Sequence, residues 1–142
     1  METNKYYTPE LSEFYIGFEY EFFDKNEKKW TLFEYEPYDD CLVGDVIGWI
    51  NDNKVRVKYL DYDDIESLGW VPENEKKILY IINDKKGDRC ALCYNNKIVS
   101  IAKQYPMQKM NTEKEFTHTM TFFLGVIKNK SELNKLLTQL GI

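Results

Sequence analysis

Hydrophobic and polar residues alternate with a period of two along most of this chain, which is the pattern of strands with one buried face. From Phe14 onward, Phe14, Ile16, Phe18, Tyr20 and Phe22 alternate with Tyr15, Gly17, Glu19, Glu21 and Phe23. Asp24 to Lys29 reads as a polar turn, and Trp30 to Glu36 returns as a second strand, ended by Pro37. The pair predicts a β-hairpin. Ahead of it, Thr8-Pro9-Glu10-Leu11 predicts a short helix start with Thr8 as N-cap and Pro9 at the first position. Over residues 39–51, Leu42, Val46, Ile47 and Ile50 lie near one helical face, with Asp39 or Asp40 as the cap. Gly44 and Gly48 each weaken that helix by up to about 1 kcal/mol relative to alanine. Val55 to Leu60 reads as a third strand running into Asp61-Tyr62-Asp63-Asp64-Ile65-Glu66, with one helical turn over 63–68 stopped by Gly69.

The second half predicts a β-meander. Lys77 to Ile82 is apolar on both faces, which points to a central strand. Asn83 to Asp88 turns, Arg89 to Tyr94 is a strand, Asn95-Asn96 signals a tight turn, and Lys97 to Lys103 returns. Tyr105 to Glu113 reads as a loop. Phe116, His118, Met120, Phe122 and Leu124 then alternate with Thr117, Thr119, Thr121 and Phe123, the clearest strand in the chain. The chain closes with the period of a helix: Leu133, Leu136, Leu137 and Leu140 form one apolar stripe, with Ser131 as N-cap, Glu132 in the first turn and Gly141 as the stop. The expected fold is α+β, a single domain over residues 1–142. It is mainly antiparallel sheet, hairpin plus meander, with a C-terminal amphipathic helix and one or two short helices.

Composition adds a compartment and a surface. Eleven tyrosines raise the aromatic share to 15%, a residue type favoured in strands and at protein interfaces. No apolar run approaches the roughly 18 residues of a membrane-spanning helix, and the first residues are polar, so a cytoplasmic protein is expected. Cys41, Cys90 and Cys93 are three in number and form no disulfide framework. Cys90 and Cys93 have C-x-x-C spacing, but on a strand these positions point to opposite faces, so buried, reduced thiols are expected. Net charge is −5 and unevenly spread: residues 1–71 hold 17 acidic and 7 basic side chains, residues 72–142 hold 7 and 12. Such a split marks either a dipolar surface or two halves that the fold interleaves.

Tests for chemistry return nothing that names a reaction. His118, the single histidine, falls on an apolar strand face and reads as structural. The run Asp61, Asp63, Asp64, Glu66 lacks the glycine that a calcium loop of the EF-hand type needs at its sixth position, where Glu66 stands. No Gly-Lys-Ser/Thr phosphate loop occurs. The expectation is a protein without enzymatic activity, metal or cofactor. Nucleic-acid binding is a secondary reading, through Lys76, Lys77, Lys85, Lys86, Arg89 and Lys97 around Tyr80 and Tyr94. The converse is an acidic mimic of nucleic acid formed by Glu34, Glu36, Asp39, Asp40, Asp45, Asp61, Asp63 and Asp64. The candidate partner-binding residues are Asp61, Tyr62, Asp63, Asp64, Glu66 and Trp70, with Asp39 and Asp40. The bland alternative for the same stretch is a capped turn with Leu68 and Trp70 tucked into the core.

Three segments, Thr8–Glu21, Val55–Trp70 and Ile127–Leu137, together resemble small uncharacterised phage and prophage proteins of Bacteroidetes. The resemblance implies a phage-encoded accessory protein that binds a host machine. It points to inhibitors of host defence effectors, of the anti-CRISPR kind acting on RNA-guided RNases, through protein–protein or RNA-mimicking contacts. A sponge for a nucleotide signal and a virion component are the alternatives. No functional residue transfers from that family.

Overall fold

The structure, a computed structural model, describes residues 5–36, 43–107 and 116–142. The fold is α+β and mostly strand: two antiparallel sheets and, among the described residues, three α-helices, the last C-terminal. The chain gathers into two compact units, Met1–Tyr59 and Leu60–Ile142.

The first unit is built on a four-stranded sheet ordered β1-β4-β2-β3, from Tyr6–Tyr7 (β1), Glu19–Asp24 (β2), Lys29–Glu34 (β3) and Val55–Lys58 (β4), with helix Val43–Asn51 (α1). The hairpin β2–β3 is present as expected, but β2 starts later than the alternation implied. Tyr15 to Phe18 is instead a tight turn closed by a 2.9 Å bond from the Phe18 N–H to the Tyr15 carbonyl, and Gly17 adopts φ +89. That positive φ is what the third residue of a type II turn requires, and it leaves Ile16 exposed rather than on the buried face. The short helix before it is a 3-10 turn, Leu11–Glu13. Glu10 rather than Thr8 is its N-cap, because the Glu13 carboxylate reaches back to the Glu10 N–H at 2.8 Å. The core is aromatic: Phe18, Tyr20, Val55 and Val57 are buried, with Phe14, Phe22 and Trp49 packed on them.

The second unit is a five-stranded meander ordered β5-β6-β7-β8-β9: Val71–Pro72, Leu79–Asn83, Arg89–Asn95, Ile98–Met107 and Phe116–Val126. The strand expected to be central, β6, lies second, beside the two-residue β5. β7 and β8 turn through Asn96 and Lys97, both at positive φ, as the two central residues of a type I′ hairpin require. The expected loop from Tyr105 is strand as far as Met107, and 108–113 lie outside the described residues. Helices Tyr62–Ser67 (α2) and Lys130–Gln139 (α3) cover one face of the sheet. α3 is capped by Asn129, not Ser131, since the Asn129 side chain accepts the Glu132 N–H at 2.8 Å. It ends in a Schellman motif, with Gly141 at φ +73 and the Ile142 N–H bonded to the Leu137 carbonyl. Leu133 and Leu137 are buried, Leu136 and Leu140 pack beside them, and Tyr80, Leu92, Val99 and Ile101 of the sheet meet them.

Candidate functional site

The stretch Val55–Trp70 folds as a strand, a capped helical turn and a core anchor. Val55 and Val57 are buried on β4. Asp61 caps α2: its Oδ1 accepts the Asp64 N–H at 3.0 Å, while the Asp61 N–H donates to Asp64 Oδ2 at 3.2 Å. This reciprocal box satisfies two of the helix's orphan donors and accounts for both carboxylates. Asp64 is buried, Ile65 has no exposure, and Trp70 is 2% exposed inside the core. Glu66 pairs with Lys77 at 2.8 Å, and that hydrogen bond raises the Lys77 ammonium above its ordinary range. Of the six residues singled out here from the sequence, Tyr62 and Asp63 stand exposed; Asp61 and Glu66 are half-buried. Tyr62 packs edge-on to Tyr94 at 5.5 Å, whose hydroxyl donates to the Leu60 carbonyl at 2.7 Å. Asp39 and Asp40 lie outside the described residues, and so does the side chain of His118.

The charge split along the sequence does not follow the units. Asp61, Asp63, Asp64 and Glu66 belong to the unit that holds the basic segment. There Glu66 meets Lys77, Glu73 meets Arg89 at 2.6 Å, and Asp84 meets Lys103 at 2.8 Å. In the other unit, Arg56 pairs with Glu21 at 3.0 Å and lies over the rings of Tyr6 and Trp30, at 3.7 and 4.2 Å.

A second surface is the face of the five-stranded sheet that α2 and α3 leave open. Residues directly opposite in antiparallel strands share a face. Val126 faces Ile98, Leu124 faces Ser100, and Ser100 faces Cys93. Val71 faces Ile81, which faces Ala91. All of these lie away from the core, since Leu92, Val99 and Ile101 point into it. Leu124 is 72% exposed, Val71 64%, Val126 58% and Ile98 51%. Cys93 is exposed on this face while Cys90 is buried on the other, so of the two described cysteines Cys90 alone is the buried thiol that was expected; Cys41 lies outside the described residues. At the β5–β6 end, a shallow cleft of about 480 Å³ is lined by Val71, Pro72, Ile81, Asn83 and the Glu73–Arg89 pair.

The pattern of β9 hid this face. The register slips between Ile101 and Ala102: Ile101 opposes Phe123 and Ala102 opposes Thr121, leaving Phe122 as the extra residue of a bulge. Beyond it the alternation changes side. Phe123, read as outward, packs on the core; Leu124, read as inward, is exposed. Met120 and Phe122 are exposed as well. The Phe122-Phe123 doublet, where an aromatic stands in a threonine position, is the sequence signal of the slip.

In the first unit a second cleft, about 240 Å³, is lined by Tyr20, Phe22, Phe33, Tyr35 and Trp49 with Glu34 and Glu36. Its described lining is aromatic and acidic. Among the described residues, no group of three or more His, Cys, Asp or Glu side chains is placed to hold a metal ion, and no helix is long and apolar enough to cross a membrane. Comparison of the chain with protein-family models, with characterised proteins and with solved structures yields no match.

Proposed function

We propose that the protein is a binding module without enzymatic activity, and that it holds a partner protein against the open face of its five-stranded sheet. The partner class is the one the phage-type resemblance implies: a host defence effector in the bacterial cytoplasm, a protein or ribonucleoprotein such as an RNA-guided RNase, which the bound module disables. The observation that supports binding is the row of exposed aliphatics on β5, β8 and β9, with Ile98, Leu124 and Val126 at adjacent positions. Burying each such side chain is worth roughly 1.5–3 kcal/mol, and a contiguous apolar patch of this kind marks an interaction surface. The Glu73–Arg89 pair supplies a polar rim. Tyr62 and Asp63 lie on the helix-covered side, where the Asp63 carboxylate adds long-range attraction to a basic, RNA-handling partner rather than buried contact.

The test is capture from host lysate with tagged wild-type protein and with Leu124→Glu. Wild type is expected to retain a defence component and Leu124→Glu to lose it, with phage plating on defence-positive hosts following the same order. Capture of no defence component together with unchanged plating sinks the reading. Equal capture by Leu124→Glu moves the contact off this face.

A further inference from the structure

The open face ends at β9, and β9 carries an anomaly of its own. It is the edge strand of its sheet, and among the described residues it pairs with β8 alone. Edge strands in soluble proteins are kept short, charged or interrupted by proline, because their free N–H and C=O groups recruit other strands. The opposite edge obeys this: β5 has two residues and one is Pro72. β9 has eleven residues, Phe116 to Val126, and none is Asp, Glu, Lys, Arg or Pro. Thr119, Met120, Thr121, Phe122, Leu124 and Val126 are all exposed, on both faces of the strand.

We infer that β9 pairs edge to edge with β9 of a second copy, antiparallel about a two-fold axis, joining two five-stranded sheets into one of ten strands. Three features select a second copy over another strand. The free backbone groups of an edge accept only an extended chain. Each chain carries a net charge of −5, so copies repel in general, yet an eleven-residue segment without charge lets them meet here without opposing like charges. An antiparallel strand is also self-complementary: overlap over the full length puts Thr121, the midpoint of Phe116–Val126, opposite its own mate. Partial overlap keeps Thr121 near it. The open apolar faces of the two copies then become continuous. This inference stands independently of the partner proposed above.

The experiment is mass measurement by light scattering on the purified full chain across a dilution series. Wild type is expected at twice the chain mass. Thr121→Lys and Thr121→Glu place like charges against each other and are each expected at the single chain mass, with circular dichroism unchanged. Mixing the two variants in equal amounts is expected to restore the double mass, which a defect in folding cannot do. Leu124→Glu, on the open face, is expected to stay double while losing partner capture, so this inference and the functional reading fail separately. A wild type of single mass at every concentration overturns the inference. So does a double mass for both charged variants, or a double mass lost in Leu124→Glu but kept in Thr121→Lys. Should Thr121→Lys fail to fold, Thr121→Arg is measured in its place with the same expectation, since Thr121 is the residue that opposes its own mate.

Discussion

Lys103 and Asp84 form an ion pair inside the second unit: Nζ lies 2.8 Å from Oδ2, with the Asp84 side chain 1% exposed. The other carboxylate oxygen accepts the N–H groups of Lys86 at 2.8 Å and Asp88 at 2.9 Å, closing the β6–β7 turn. The Lys103 hydrogen bond, helped by those backbone donors and opposed by burial, holds the Asp84 carboxyl below the ordinary carboxylate range. A depressed acid stabilises the fold above its unfolded-state pKa, and that stability is lost as pH falls through the lower folded value. Asp84→Asn keeps a turn acceptor and loses the pair. Its urea midpoint is expected below wild type at neutral pH, with the gap closing as acid protonates Asp84 in the wild type. A gap that stays constant into acid contradicts this.

Tyr80 is buried with its hydroxyl unpartnered among the described residues. Burial, and then the Glu66 charge, push its phenol up to about 12. Tyr80→Phe removes an unsatisfied polar atom and is expected to leave stability unchanged or raised, within about 1 kcal/mol. For the wild type, a raised pKa means stability is intact below the ordinary value of 10.0 and declines as pH rises towards about 12. Tyr80→Phe should lose less stability over that range. Equilibrium unfolding at alkaline pH measures both.

The two aspartates at the start of α2 separate by role. Asp61→Ala removes the cap and is expected to cost about 1 kcal/mol, read from thermal unfolding. Asp63 is exposed and outside the capping box, so Asp63→Lys is expected to shift stability by no more than about 0.5 kcal/mol. Equal losses at the two positions contradict the capping geometry. Reversing Asp61, Asp63 and Asp64 together therefore tests folding as well as binding.

Leu133 opens the α3 stripe and has no exposure. Leu133→Ala is expected to cost about 2–5 kcal/mol. Thr138, whose side chain bonds the Asn134 carbonyl on the exposed side of α3, is expected to tolerate alanine within about 0.5 kcal/mol. Denaturant midpoints for the two variants decide it.

Sequence alone determined what depends on neighbours along the chain. The α3 stripe and its glycine stop, the β2–β3 hairpin, and the Gly69 end of α2 are short-range features, because caps, turns and periodicity act through bonds a few residues apart. The same locality explains the small misplacements. Asn129 outcompetes Ser131 as a cap, and Gly17 takes Tyr15–Phe18 out of strand, through hydrogen bonds that residue type alone does not rank.

Only the tertiary structure decided which faces are covered. Period two says that a strand has two sides and leaves open which one meets a helix. One unpaired residue at Phe122 exchanged the sides of β9, so that Leu124 and Val126 went out and Phe123 went in. The acidic run at Asp61 looked like a surface because burial of Asp64 and Trp70 depends on contacts with distant strands. The open face and the β9 edge, which among the described residues pairs with β8 alone, exist only once five strands from across the second unit are ordered side by side, and no segment carries that order by itself.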